Sequence, residues 1–148
     1  MYDFVDRPVT SLDGGGRFLI WSMRSWVAAL GQRQCPAARL APAFARWRMI
    51  GGLQPFHQAM LLLNRDALEP LRFCALPCNH VSEDEAILLA LVGQLGGGET
   101  LAARDTLALL IDESSLGDAL ARFADLAGVL APLSLLPAPP DAISRGQA

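Results

Sequence analysis

Two cysteines and a histidine lie close together in the middle of the chain. Cys74, Cys78 and His80 form the pattern Cys-x3-Cys-x-His in the segment Phe-Cys-Ala-Leu-Pro-Cys-Asn-His. Thiolates and imidazole suit tetrahedral zinc, and three cysteines with one histidine are a recognised ligand set. Cys35 or His57 would supply the fourth ligand. The pattern gives one chemical hypothesis, a zinc site at Cys74, Cys78, His80 and Cys35.

The same residues also have a simpler interpretation. Zinc knuckles usually carry Cys-x2-Cys, and this cluster lacks a second close pair. Cys74 would then pack as a small apolar side chain, and His80 would be a solvated loop residue. Nucleophilic attack by Cys78 paired with His80 is disfavoured, because the carboxylates that follow oppose a thiolate. An odd number of cysteines favours free thiols or a metal over a disulfide framework.

The clearest local signal follows this cluster directly. Ser82-Glu83-Asp84-Glu85 is a capping box, in which Ser82 accepts from the Glu85 N–H and the Glu85 side chain returns to the Ser82 N–H. The three acids also complement the positive end of the helix dipole. Capping explains all four residues without catalysis or a divalent metal. We therefore predict that a helix begins here, with Val81 packed against its first turn.

Apolar residues recur at helical spacing along most of the chain, and no stretch alternates as a strand does. Gly14-Gly15-Gly16 is interpreted as a flexible entry to the first helix, which Gly31 closes. Pro42 and Pro55 suit the first turns of the next two helices. The predicted helices cover about residues 17–30, 42–50, 55–65, 82–95, 100–111 and 115–131.

These elements predict an all-α fold, a single-domain helical bundle of five to six helices. Residues 1–13 form an N-terminal arm, and residues 14–136 form the helical domain. Two helical layers, about 17–65 and 82–131, make up that domain. The proline-rich residues 137–148 are predicted to be a disordered tail.

The composition excludes some classes of protein and leaves others open. Hydrophobic residues make up 52% of the chain and charged residues 18%, which is outside the range of disordered proteins. Residues 1–72 carry nine Arg against five acidic residues, a net charge of +4, whereas residues 73–148 carry three Arg against ten, a net charge of −7. Opposite halves could pack together or pair between subunits. The positive field is too weak to favour nucleic acid as a partner.

The hydropathy pattern places the protein in the cytoplasm. No apolar run reaches the eighteen residues that a membrane-spanning helix needs, and the stretch 18–30 contains Arg24. The N-terminal residues lack the basic region and apolar core of a signal peptide. We expect no membrane partner.

Trp21 lies off the apolar stripe of the first helix, one turn from both Arg17 and Arg24. The indole could be a surface side chain held between two guanidinium groups. It could instead belong to a subunit contact, because Trp and Arg dominate the energetics of interfaces. Arg17, Trp21 and Arg24 are therefore the predicted interface residues.

The two helices around Gly51-Gly52 superficially resemble a helix-turn-helix. A recognition helix projects Arg, Lys, Asn or Gln toward base edges. Here the second helix offers His57, Gln58, Asn64 and Arg65 in an otherwise apolar sequence. We interpret it as a core helix.

Residues 78–91, Cys-Asn-His-Val-Ser-Glu-Asp-Glu-Ala-Ile-Leu-Leu-Ala-Leu, resemble a segment of an uncharacterised alphaproteobacterial family of small helical proteins. In that family a cysteine-containing loop leads into Ser-x-Asp-Glu, a leucine-rich helix and two more helices. The resemblance covers about the last half of the chain. It implies no activity and no site residues, because the family has no assigned function. Its cysteines often lie closer together than Cys74 and Cys78, a departure that weakens the zinc hypothesis.

Three functions follow from these patterns. We expect a non-enzymatic cytoplasmic interaction or regulatory module that self-associates into a homodimer or other homo-oligomer, without a cofactor. The alternative is a small zinc-binding or thiol-based protein that uses the loop of Cys74, Cys78 and His80. The second alternative is a DNA-binding regulator.

Overall fold

Six α-helices follow one another along the chain in a computed structural model that describes residues 3–138. The helices are α1 (Gly14–Gly31), α2 (Pro36–Arg46), α3 (Ile50–Asp66), α4 (Glu83–Gly96), α5 (Thr100–Ala108) and α6 (Glu113–Leu130). Short 3₁₀ turns at Val9–Ser11 and Ala131–Leu133 flank them, and this part of the chain has no β-strand. The predicted all-α helical bundle is confirmed.

Helix α4 lies at the centre of the bundle. Every residue from Glu85 to Val92 is buried, so the helix is covered on all sides. Helix α6 packs against both α3 and α4, while α5 packs against α4, and α2 packs against α1 and α3. One hydrophobic core takes residues from all six helices. A helix that is apolar all round requires such a position.

The start of α4 follows the predicted capping box. The Glu85 backbone N–H donates to Ser82 Oγ at 3.2 Å, and the Ser82 backbone N–H donates to Glu85 Oε1 at 2.9 Å. Val81, the residue before the cap, is fully buried. Local side-chain chemistry therefore decides where this helix begins.

Helix α1 begins at Gly14, three residues before the predicted start. Asp13 is its N-cap, and Asp13 Oδ1 accepts from the Gly16 backbone N–H at 2.7 Å. The C-terminal segment of the described chain crosses this turn, and a Cβ built on Gly15 would overlap the carbonyl oxygen of Leu135. The glycines are thus a packed crossing, and the predicted flexible entry is wrong.

Helices α2 and α3 also begin earlier than predicted. Pro36 occupies the first turn of α2, which leaves Pro42 inside the helix. Helix α3 begins at Ile50, so Pro55 lies inside it as well. Proline suits a first turn, and Pro36 occupies that position in α2. Pro42 fits the same rule, so the rule alone does not distinguish the two prolines.

The exposed large apolar side chains on and between the first three helices include four near helix ends. Trp47 and Ile50 are 43% and 56% exposed, because α2 ends at Arg46 and the helical phase breaks before α3 begins. On α1, Val27 and Leu30 are 37% and 40% exposed. The buried stripe of α1 instead runs through Phe18, Leu19, Ile20, Met23, Trp26 and Ala29.

No helix within residues 3–138 is long and apolar enough to cross a membrane.

The structure describes two residues of the predicted disordered tail. Pro137 is buried, and the Ala138 backbone N–H donates to Asp13 Oδ2 at 3.0 Å. The rest of that prediction, residues 139–148, lies outside the described residues.

Candidate functional site

A buried ion pair joins α1 to α4. Arg24 Nε donates to Glu85 Oε2 at 2.8 Å, and its Nη2 donates to Glu85 Oε1 at 3.0 Å. The two side chains are 1% and 0% exposed. The interface predicted for Arg24 is therefore wrong, because its guanidinium lies inside the bundle and cannot stack on Trp21 at the surface.

The same guanidinium holds the loop that precedes α4. Nη1 donates to the carbonyl oxygen of Cys78 at 2.6 Å, and Nη2 donates to that of His80 at 2.7 Å. The planar fork of an arginine presents five N–H donors in fixed directions. Arg24 uses them to bind a carboxylate and two carbonyls at once, which fixes the loop against α1.

The carboxylate of Glu85 is also fully paired. Besides Arg24, it accepts from the backbone N–H groups of Ser82 and of Cys74, the latter at 3.3 Å. The pKa of Arg24 is raised, first by its hydrogen bond to Glu85, while burial acts in the opposite direction. Both charges are retained in the interior because each has several partners.

The N-terminal arm covers the other side of this loop. The Val9 N–H donates to the carbonyl of Asn79 at 3.0 Å, and the Val81 N–H donates to the carbonyl of Arg7 at 3.0 Å. The Thr10 N–H adds a bond to Asn79 Oδ1 at 3.2 Å. Residues 79–81 are therefore held between the arm and the guanidinium of Arg24.

Two half-buried thiols lie in this fixed loop. A tight turn, in which the Cys78 N–H donates to the Ala75 carbonyl at 3.0 Å, reverses the chain between Cys74 and Cys78. The pKa of Cys74 is raised first by burial and then by its side-chain hydrogen bond with Cys78. The charge of Glu85 raises it further, and that of Arg24 lowers it. The two thiols thus interact beside a buried ion pair.

The structure does not assemble the predicted zinc ligands. Cys35 is exposed at the N-cap of α2, and His80 is exposed beside its backbone bridge to Pro8. Across residues 3–138, no three or more His, Cys, Asp and Glu side chains form a group that could hold a metal ion. Within the predicted set, the side chains of Cys74 and Cys78 interact with each other, and Cys78 Sγ donates to the backbone carbonyl of His80 at 3.8 Å. The zinc site stays a prediction from the sequence.

His57, the other fourth-ligand candidate, has an internal partner. Its Nδ1 accepts from Trp26 Nε1 at 2.9 Å, so this nitrogen carries no proton. Burial lowers the pKa of His57.

The neighbouring Gln58, which the sequence offers as a base reader together with His57, accepts from Arg122 Nη1 at 3.3 Å. Two of the side chains considered as base readers are therefore engaged within the bundle.

The remaining predicted interface residues lie on the outer side of α1. Trp21 is 38% exposed, and Arg17 is exposed. Because Arg24 is buried, only the Trp21 indole and the Arg17 guanidinium of the three predicted groups lie on this surface. A subunit contact at Arg17 and Trp21 stays a prediction.

An open groove lies between the segment that precedes α4, the first turn of α4 and the end of α5. Its volume is about 580 Å³. We call it the acidic groove, and its lining residues are Leu68, Glu69, Pro70, Leu71, Arg72, Ser82, Glu83, Asp84, Leu109 and Leu110. Leu68 and Leu109 are 58% and 60% exposed. Three carboxylates against one guanidinium leave the groove negative at neutral pH.

A surface of opposite charge projects between α2 and α3. We call it the tryptophan knob, formed by Arg46, Trp47, Arg48 and Ile50. All four residues are exposed. The Trp47 ring lies 5.3 Å from the ring of Phe18, which supports it from below, and Arg48 has a left-handed backbone with φ of 61°. A non-glycine residue in this region marks a tight turn, here between α2 and α3.

Comparison with known proteins gave no match: no family model, no curated protein and no solved structure is similar to this chain. The resemblance to the alphaproteobacterial family stays a prediction. The features of the site are therefore interpreted from their own geometry.

Sequence reasoning found the cysteines and the capping box but missed the side chain that joins them. Arg24 was assigned to the surface, whereas it is the charged partner of Glu85. One signal was present in the sequence: Arg24 is the only charged residue in the apolar stretch 18–30. A lone charge there needs a partner in the core.

Proposed function

We propose that this protein is a non-enzymatic cytoplasmic interaction module that self-associates by placing the tryptophan knob of one copy in the acidic groove of the next. The observation behind the proposal is the groove itself. It combines two exposed leucines, Leu68 and Leu109, with the carboxylates of Glu69, Glu83 and Asp84. Apolar surface rimmed by charge is typical of a protein-binding site.

The knob complements this groove in both respects. Trp47 and Ile50 supply exposed apolar surface, and Arg46 and Arg48 supply positive charge. Trp and Arg are enriched among residues that contribute most to binding. Charge complementarity would orient the two copies and speed their encounter.

Such a contact joins two different surfaces, so it is heterologous. Heterologous contacts produce a ring when the rotation closes and an open chain when it does not. The proposal therefore extends the expectation of a homodimer to a head-to-tail assembly. The surface around Trp21 and Arg17 is the competing contact.

The test is a measurement of native mass against protein concentration by analytical ultracentrifugation. Two charge-reversed proteins are compared with the unmodified chain, one with Arg46→Glu and Arg48→Asp and the other with Glu69→Arg and Glu83→Arg. Aspartate is used at position 48 because it tolerates a left-handed backbone. We expect each variant to be monomeric alone. An equimolar mixture should recover the assembly, because the reversed knob pairs with the reversed groove and the unmodified knob pairs with the unmodified groove.

Trp21→Ala is the matched control, since it removes an exposed tryptophan outside the knob. We expect Trp47→Ala to weaken association at least about tenfold, as removing an interface anchor does, and Trp21→Ala to leave it unchanged. A chain that is monomeric at every concentration would refute self-association. Assembly lost with Trp21→Ala but kept with Trp47→Ala would move the contact to the outer side of α1.

A further inference from the structure

We propose that Cys74 and Cys78 form a reversible disulfide by exchange with a small-molecule disulfide such as glutathione disulfide. This redox site is independent of the self-association proposed above. It gives the fixed loop before α4 two covalent states.

Both cysteines are fastened to the same ion pair through their backbones. The Cys74 N–H donates to Glu85 Oε2, and the Cys78 carbonyl accepts from Arg24 Nη1. The turn at residues 75–78 brings the chain back between these two attachments. Because Arg24 and Glu85 are buried and bound to each other, the backbones of both cysteines are attached to one buried group.

Holding two reacting groups together raises their effective concentration, which favours the intramolecular bond over two separate adducts. The thiols are half-buried rather than sealed in the core, so a small reagent has access to them. Both are free thiols in this structure. The third cysteine, Cys35, is exposed at the start of α2 and does not interact with the pair.

The exchange takes two steps. In the first step, the Cys78 thiolate attacks one sulfur of glutathione disulfide, forming a mixed disulfide and releasing one glutathione thiolate. Cys74 then loses its proton and attacks the Cys78 sulfur, which expels the second glutathione thiolate. One glutathione disulfide is reduced to two glutathiones as the protein dithiol is oxidised.

The test uses the full-length chain with Cys35→Ser, so that only the pair reacts. The protein is equilibrated in buffers of reduced and oxidised glutathione, quenched by alkylation and weighed by mass spectrometry. We expect Cys74 and Cys78 to lose alkylation together, with a product lighter by two hydrogens and without bound glutathione. Cys74→Ser and Cys78→Ser in the same background are the matched controls, and each should stop at a mixed disulfide.

A second measurement separates a structured site from two merely adjacent cysteines. The same equilibrium is measured for the chain unfolded in urea. We expect the folded chain to favour the disulfide at least about tenfold more strongly, because folding already brings the cysteines together. An equal or smaller constant in the folded chain, or mixed disulfides that persist there, would overturn the proposal.

Discussion

The Arg24 side chain makes four hydrogen bonds, and all of them end on residues 78–85. A buried ion pair adds little net stability compared with apolar residues of similar volume, because both charges lose their hydration. Its value here is positional. The guanidinium fixes two loop carbonyls and the first turn of α4 in one arrangement, which packed leucines would not specify.

At this scale we predict the effect of removing one charge of the pair. Arg24→Gln leaves Glu85 buried without its partner, so the free energy of unfolding should fall by about 3–5 kcal/mol. Urea denaturation measures the loss. Arg17→Gln, on the exposed side of the same helix, should change stability by less than about 0.5 kcal/mol. A loss below about 1 kcal/mol for Arg24→Gln would mean that water reaches the site.

His57 gives a prediction about pH. Burial lowers its pKa in the folded protein, and its Nδ1 must stay unprotonated to accept from Trp26 Nε1. The unfolded chain therefore binds a proton near the ordinary histidine pKa of about 6.5, whereas the folded chain binds it only at a lower pH. Stability from His57 is present above that pH and is lost as the pH falls below it.

The measurement compares urea denaturation of the unmodified chain and of His57→Gln at pH 7 and pH 5. Glutamine keeps an acceptor for Trp26 and does not titrate over this range. We expect the unmodified chain to lose stability relative to the variant as the pH drops. An equal difference at both pH values would show that folding does not lower the pKa of His57.

At the scale of elements, the first turn of α1 depends on its glycines. A Cβ on Gly15 would overlap the backbone of Leu135, so Gly15→Ala should lower the free energy of unfolding by about 1–3 kcal/mol, the usual cost of overpacking. Gly117, inside α6, has nothing within 4 Å of such a Cβ. Gly117→Ala should raise stability by about 0.5–1 kcal/mol. Thermal denaturation of both variants checks the opposite signs, and two increases would show that the crossing is not tight.

The elements that the sequence predicted well are those with a complete local signal. The capping box at Ser82 needs only four neighbouring residues, and it occurs as predicted. The predicted start of α3 is wrong because this helix start depends on contacts with residues far away in the sequence. Gly52 is helical and buried, with space for a Cβ limited by Met49 and by Leu126 of α6. The pair Gly51-Gly52 looks like a helix stop, but Gly52 is here a close contact between α3 and α6, whereas Gly51 has open space beside it.

The candidate site also has some residues that a local sequence pattern predicts and others that it does not. Cys74 and Cys78 could be named because their residue types and spacing are unusual in themselves. The partnership of Arg24 with Glu85 could not be predicted, because the two lie 61 positions apart and Glu85 already had a sufficient role in the capping box. One carboxylate serves both functions, and a local interpretation stops at the first.

At the scale of the whole molecule, the opposite charges of the two halves are only partly used within the fold. The pair of Arg24 and Glu85 joins the positive half to the negative half, whereas Arg65 with Asp66 and Arg122 with Asp125 are local pairs. Charge at the exposed acidic groove and tryptophan knob acts through solvent instead. The proposed assembly should therefore weaken as salt rises from about 0.05 to 0.5 M, since screening shortens the reach of exposed charges.

The crossing of Leu135 over Gly15 has a consequence for how the sequence can change over time. Positions 15 and 135 are 120 residues apart, yet substitutions at one of them depend on the residue and backbone at the other. A lineage that lost the crossing segment would free position 15 for alanine, which improves an open helix. Once alanine had settled there, regaining the segment would meet a clash. The order of such changes would matter, because alanine at position 15 would then prevent the crossing segment from returning.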